Sequence, residues 1–260
     1  MPETILLHRA EPIATLRLNR PESFNAITLE LAQELIAHLL SLAADETIRA
    51  IIITGKGTAF CAGGDLKWAL AYPQGPAAAF RKLAGQVHMA IAEIRRIPKP
   101  VIAAMNGVAA GGGFSLALAC DFRLLSRAAS LRQGYTSAGL CLDAGGSFML
   151  PRLVGFARAL EISALDEPIS AEQALAWGLA NRVVEPDQVE SAALELAQRL
   201  ARRSANSFGW SKRLLNESFE TSLETQMERE REGIAACAQH RDGLEGLRAF
   251  VEKRKPNFST

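Results

Sequence analysis

Residues 106–121 read NGVAAGGGFSLALACD and residues 61–65 read CAGGD. Each glycine stretch lies between an apolar, strand-like run and a helix-like run. Glycine disfavours helix, so its use at a helix start calls for a reason. The first turn of a helix leaves N–H groups without intrahelical partners and carries partial positive charge. Glycines let a ligand oxygen approach that backbone closely. If the two bends face each other, one N–H from each can hold a carbonyl oxygen that becomes negative during a reaction, an oxyanion hole. The plainer alternative is a pair of strand-to-helix turns, with Asp65 as an N-cap. No Gly-Lys-Ser/Thr follows, so neither bend is a phosphate loop, and no G-x-G-x-x-G spans the site. A third candidate is Asp143, in GLCLDAGGS. On the residues alone it reads as the N-cap of a helix over Ala144–Leu153.

The elements around these residues alternate. Ile13–Asn19 alternates apolar and polar residues as a half-buried strand does. Thr28 is placed to cap a helix carrying Leu31, Leu35, Leu39 and Leu42 on one face. Ala50–Thr54 reads as a buried strand followed by a loop over Gly55–Gly64. Pro76 suits a helix start, and a long helix over Ala77–Ile97 ends at Pro98–Pro100. Val101–Met105 is another strand, followed by the glycines, a short helix through Ala119 and a strand over Phe122–Leu125. This order predicts an α/β architecture with crossovers. Beyond about Arg158 the pattern is nearly all helical. Ser170 is a plausible cap, and amphipathic helices run over Gln188–Arg203, Ser207–Asn216, Thr221–Gln239 and Asp242–Lys253. The expected division is a core over residues 1–195 and a helical lobe over 196–260.

The 260 residues, 48% of them hydrophobic, suffice for one large core, or one core and a smaller lobe. A net charge of +1 does not call for nucleic acid or an anionic membrane. Cys61, Cys120, Cys141 and Cys237 have no CxxC spacing and read as reduced, mostly buried thiols. No apolar run reaches the roughly 18–20 residues of a membrane span, and MPETILLHRAEP does not resemble a secretory signal. A cytoplasmic protein is expected.

LNRPESFNAI, FCAGGDLK, KPVIAAMNGVAAGGG, LACD, DAGGSFMLPRLVG, SAEQALAWGLANRVV and FVEKRKPNF follow one another along the chain. In that order they resemble the blocks of the enoyl-CoA hydratase/isomerase, or crotonase, family over nearly the whole length. The resemblance implies a crotonase (ClpP/crotonase-like) spiral of ββα units with a C-terminal helical lobe for trimerisation. It also implies an acyl-CoA thioester substrate, with coenzyme A as part of that substrate and no separate cofactor or metal. The two oxyanion donors fall on the backbone N–H groups of Ala62 and Gly112, with Gly111 and Gly113 shaping the turn. Gly112→Pro is therefore expected to be far more damaging than Gly113→Ala. Ser23, Phe24, Ala26, Cys61, Gly64, Asp65 and Leu66 fall where the family binds the CoA ester. Phe250 and Lys253 fall where an aromatic and a lysine reach CoA held by a neighbouring subunit, in a homotrimer or a dimer of trimers.

The chain departs from the hydratase pattern. The two water-activating glutamates of the family's hydratases fall at Ser115 and Tyr135, neither of which is a carboxylate. Asp143 matches the catalytic aspartate of the enoyl-CoA and epoxyphenylacetyl-CoA isomerase subgroup, which implies a double-bond isomerase using Asp143 as base. Enoyl-CoA hydratase is the alternative by family label. A 4-halobenzoyl-CoA dehalogenase or thioester hydrolase is a further one. Dehalogenases of the family carry a histidine at the position of His88 and an aromatic, tryptophan there, at the position of Tyr135. Some relatives bind RNA through a basic helix, but Arg81, Lys82, Arg95, Arg96 and Lys99 have no aromatic interleaving, and a solvated face is expected.

Overall fold

A computed structural model describes residues 3–258. In chain order the strands are β1 (Ile5–Ala10), β2 (Ile13–Leu18), β3 (Ala50–Gly55), β4 (Ala59–Cys61), β5 (Val101–Met105), β6 (Val108–Ala110), β7 (Phe122–Ser126), β8 (Ser130–Arg132), β9 (Ile169–Ser170) and β10 (Arg182–Val184). The helices are α1 (Leu29–Ala44), α2 (Leu66–Leu70), α3 (Pro76–Arg96), α4 (Gly112–Ala119), α5 (Gly146–Val154), α6 (Phe156–Leu165), α7 (Ala171–Ala176), α8 (Val189–Ala201), α9 (Ala205–Glu217), α10 (Leu223–Gln239) and α11 (Arg241–Val251).

Two sheets run side by side through the chain. The larger has the order β1-β2-β3-β5-β7-β10 and the smaller β4-β6-β8-β9. Pairing is parallel except at β1–β2 and β8–β9. Each of β3–β4, β5–β6 and β7–β8 lays one strand in each sheet before the chain turns into helix. This is the expected spiral of ββα units. The strands β3 and β5 are buried along their whole length, as continuous apolar runs covered on both faces should be.

Local chemistry accounts for the helix starts. The Thr28 hydroxyl accepts the Leu31 N–H at 3.3 Å, and Leu31, Leu35, Leu39 and Leu42 of α1 are buried as expected. Pro76 opens α3, where its missing N–H costs nothing. Ser170 caps α7 in a capping box with Gln173. The short strands β4, β6, β8 and β9 escape a periodicity analysis, and β4 lies in a stretch expected to be loop. Two or three residues hold no alternation to detect, so only pairing with distant strands defines them.

Two expectations need correction. The boundary at 195/196 falls inside α8, whose Val189, Ala193 and Ala197 pack on Ile52, Ile102 and Leu124 of the larger sheet. The core therefore includes all of α8, and the lobe is α9–α11. The cysteines are not mostly buried either: Cys61 and Cys120 are, but Cys141 is exposed and Cys237 half-buried. The lobe is anchored by Lys212 of α9, whose ammonium donates to the Ile94 carbonyl and to the Asp121 carboxylate, both at 2.7 Å. Burial pushes Asp121 up and Lys212 down from their ordinary values. Among the described residues no helix is long and apolar enough to cross a membrane.

Candidate active site

The first wall of the site is main chain. After β4 the chain bends through Ala62–Asp65 into α2, and the Asp65 carboxylate caps that helix by accepting the Trp68 N–H at 3.1 Å. The segment 23–27 runs alongside. Ile27 donates to the Gly63 carbonyl at 2.7 Å, and its own carbonyl accepts the Asp65 N–H at 3.0 Å. In that parallel bridge the N–H of Gly64 points away from Ile27. Fully buried Asn25 holds the segment in place, donating to the carbonyls of Lys56 at 3.0 Å and Ala59 at 2.8 Å. Its left-handed backbone, with φ of 56°, is one that asparagine tolerates. The Cys61 thiol contacts the Asn25 carbonyl at 3.2 Å, and burial pushes it up to about 12, so it stays protonated.

The second bend follows β6. Gly111 takes a φ of 52° and donates to the Arg132 carbonyl, and α4 starts at Gly112. The two bends touch through backbone. A side-chain carbon at Gly63 would stand 2.9 Å from the Gly112 nitrogen, and one at Gly113 would stand 2.1 Å from the Cys61 carbonyl oxygen. Those contacts, not the turn alone, demand glycine.

They also correct two expectations. The Ala62 N–H is already donated to the Phe24 carbonyl at 3.0 Å, so it is not free for a ligand. The free N–H groups at the bends belong to Gly64 and Gly112, both half-exposed and without a backbone acceptor among the described residues. Gly113 is a packing residue rather than a shaper of the turn, and it tolerates a side chain less well than Gly112, whose nearest neighbour would be the Ile27 side chain at 3.3 Å.

The second wall is built of side chains. Helix α3 passes both bends, with Phe80 and Leu83 closest to Gly64. Further along it, the His88 Nε2 lies 2.6 Å from Asp143 Oδ1, and both side chains are about half exposed. The other carboxylate oxygen of Asp143 has no hydrogen-bond partner among the described residues. Asp143 does not cap a helix: α5 begins at Gly146 with Gly145 as its N-cap and no side-chain cap. Its main-chain carbonyl accepts the Gly146 N–H at 2.9 Å and the Ser115 hydroxyl at 2.8 Å. The Tyr135 hydroxyl lies 3.1 Å from Ser115 Oγ. Burial pushes the Tyr135 phenol well above an ordinary tyrosine, so it stays protonated.

Asp166, a residue sequence analysis missed, holds the Tyr135 segment. It accepts the N–H groups of Gly134 at 2.8 Å and Ser137 at 3.1 Å. No sequence signal singles out one aspartate at the end of α6, because its partners are thirty residues away.

Ser23, Phe24, Ala26, Cys61, Asp65 and Leu66 gather around the first bend, where Phe24 and Leu66 leave apolar side chains exposed. Phe250 and Lys253 stand apart: α11 packs on α9 and α10, and Phe250 is 85% exposed. Leu244, Leu247 and Val251 of the same helix are also exposed. A cavity of about 1370 Å³ between α3 and α9 contains none of these residues.

The ββα spiral, with the unpaired N–H groups of Gly64 and Gly112 brought together at two of its strand-to-helix bends, defines the class of fold to which the chain belongs. The comparisons agree on the fold. The enoyl-CoA hydratase/isomerase family model matches residues 8–260, and the chain belongs to that family. It is 37% identical to the 1,2-epoxyphenylacetyl-CoA isomerase of Escherichia coli, covering 100% of this chain and 99% of the relative. It is 35% identical to 4-chlorobenzoyl coenzyme A dehalogenase-2 of an Arthrobacter species, covering 96% and 91%. The crystal structure of an enoyl-CoA hydratase from a Polaromonas species superposes with a TM-score of 0.93 at 37% identity, covering 97% of this chain and 98% of that one.

Proposed function

We propose that the protein is an acyl-CoA enzyme that moves a carbon–carbon double bond, with Asp143 as its base. One observation carries this reading. Asp143 presents a carboxylate with a free oxygen, while the positions of the water-activating glutamates hold Ser115 and Tyr135, whose hydroxyls are turned toward protein. The N–H groups of Gly64 and Gly112 hold the thioester oxygen. Asp143 takes a proton from C2 of a 3-enoyl-CoA. The negative charge passes to the thioester oxygen, where two fixed donors stabilise it. The same carboxyl returns the proton at C4, so one C–H bond breaks, one forms and the double bond moves to C2–C3. Coenzyme A is part of the substrate. Phe250 and Lys253 meet its adenine and phosphates across a subunit boundary, in a cytoplasmic trimer or dimer of trimers.

The 2.6 Å contact between His88 and Asp143 favours a second reading. There Asp143 attacks the ring carbon of a 4-halobenzoyl-CoA and expels halide, and His88 activates the water that cleaves the resulting aryl ester. A panel of 2-enoyl-, 3-enoyl- and 4-halobenzoyl-CoA separates the two. The isomerase reading requires interconversion of the enoyl esters and, in heavy water, deuterium at C4 on turnover or at C2 on return. Halide release without either overturns it in favour of the second.

A further inference from the structure

We propose that Ser115 and Tyr135 are positioning residues that act on Asp143 through its main-chain carbonyl and so aim the carboxylate into the site. The inference rests on Asp143 being the base. Ser115 is fully buried and Tyr135 nearly so, and their hydroxyls form a chain that runs one way. Tyr135 O–H donates to Ser115 Oγ at 3.1 Å, and Ser115 O–H donates to the Asp143 carbonyl at 2.8 Å. The phenol also lies 3.4 Å from that carbonyl. The Asp143 carbonyl can only accept, so Ser115 spends its one proton there and is left to accept from the Tyr135 O–H, which sets the direction of the chain. Linked donors of this kind strengthen one another in a dry environment.

The carbonyl they grip is at a hinge. Ala144 takes a φ of 52°, disfavoured for a residue with a Cβ, and Gly145 follows with 76°. This left-handed turn sends the Asp143 carbonyl toward α4 and its carboxylate toward His88 on α3. The turn is wedged between those helices. A carbon on Gly145 would meet Ile91 at 3.3 Å, and one on Gly146 would meet Ser115 Oγ at 2.6 Å. Without the two hydroxyls the carbonyl keeps only the Gly146 N–H across the turn, so Ala144 can relax to negative φ, which swings the carboxylate off its line. Both O–H protons are also spent on protein, and neither neutral hydroxyl is a base that could activate water.

The test compares Ser115→Ala, Tyr135→Phe and the double variant with the wild type, on two independent readouts. The first is the rate of C2 proton exchange of a 3-enoyl-CoA in heavy water. The double variant is expected to lose about 30- to 100-fold in kcat at nearly unchanged KM, since an interaction felt only in the transition state lowers kcat alone. Ser115→Ala should lose more than Tyr135→Phe, because it breaks the direct contact. The second readout is amide hydrogen exchange over residues 140–146, followed by mass spectrometry. It needs no activity, and the double variant should exchange there about tenfold faster with other segments unchanged. If the double variant folds poorly, Tyr135→Phe, which removes one oxygen, carries the test at a smaller expected loss of about threefold in kcat. Unchanged kcat and unchanged exchange in the folded variants overturn the positioning role. Loosening of 140–146 in a protein that processes no enoyl-CoA would instead sustain the positioning of Asp143 and overturn its role as an isomerase base.

Discussion

The two walls of the site are built from different materials. The wall that carries the free N–H groups is main chain, with Gly63, Gly64, Gly112 and Gly113 in close backbone contact and the neighbouring N–H groups of Ala62, Asp65 and Gly111 donated to backbone carbonyls. The facing wall is four side chains from three separated segments, His88, Ser115, Tyr135 and Asp143, two of them half exposed. A backbone wall can recognise only what every thioester shares, a carbonyl oxygen. At Gly63 and Gly113 it cannot be tuned by substitution without collision, because a carbon at either position strikes backbone. The side-chain wall can change chemistry residue by residue. This division fits relatives that are about equally similar to the chain and carry the names of an isomerase, a dehalogenase and a hydratase.

The sharpest way to break this contrast is Asp143→Asn, which keeps the shape of the side-chain wall and removes its basicity. General-base removal of this kind costs about 10²- to 10⁴-fold, so isomerisation should fall by about 10³-fold while CoA-ester binding, measured by calorimetry, stays nearly intact. Isomerisation at the wild-type rate would eliminate Asp143 as the base. Next comes the backbone wall. Gly112 is the first residue of α4, a position proline accepts, so Gly112→Pro deletes the N–H with little strain on the helix. It should lower kcat by about 10²- to 10³-fold, the usual loss for one oxyanion donor, with an unchanged circular dichroism spectrum. Gly113→Ala should act differently, costing about 3 kcal/mol of stability in denaturant unfolding by overpacking. Full activity in a folded Gly112→Pro variant removes Gly112 from the oxyanion hole.

Smaller effects probe what supports the walls. Asp166 holds the Tyr135 segment through hydrogen bonds to its carboxylate. Burial opposes the charge, but the bonds from Ser137 and Gly134 outweigh it and hold Asp166 below its ordinary value. A carboxylate held low stabilises the fold above its unfolded value of about 3.9 and loses that contribution as pH falls through the lower folded value. Asp166→Asn should therefore cost about 2 kcal/mol near neutrality, as for hydrogen bonds to a charged group. The difference from wild type should shrink below about pH 4. A constant difference between pH 3 and pH 7 contradicts this. The smallest expected effect is at Lys253. Lys253→Glu should raise KM for CoA esters about fivefold with little change in kcat, since a phosphate contact is the same in ground and transition states. The effect should fade with added salt. A fully active monomer in light scattering removes the shared site altogether.

Much of this protein was legible in its residue order. The buried strands at Ala50–Gly55 and Val101–Met105, the leucine face of α1 and the caps at Thr28 and Ser170 follow from local periodicity and local hydrogen bonding. Glycines at 63 and 111–113 announced close backbone contact. What residue order could not assign was which N–H is left free. Ala62 and Gly64 are two residues apart with similar surroundings in sequence. Only the approach of the segment 23–27 gives the Ala62 N–H to Phe24 and turns that of Gly64 outward. The same holds for Asp143, which its neighbours in sequence make an equally good helix cap. Its role depends on Ser115, twenty-eight residues away, and His88, fifty-five residues away. Local sequence sets backbone conformation over a few bonds, whereas the direction of a donor or a carboxylate is set by whatever packs against it, and here that comes from other turns of the spiral.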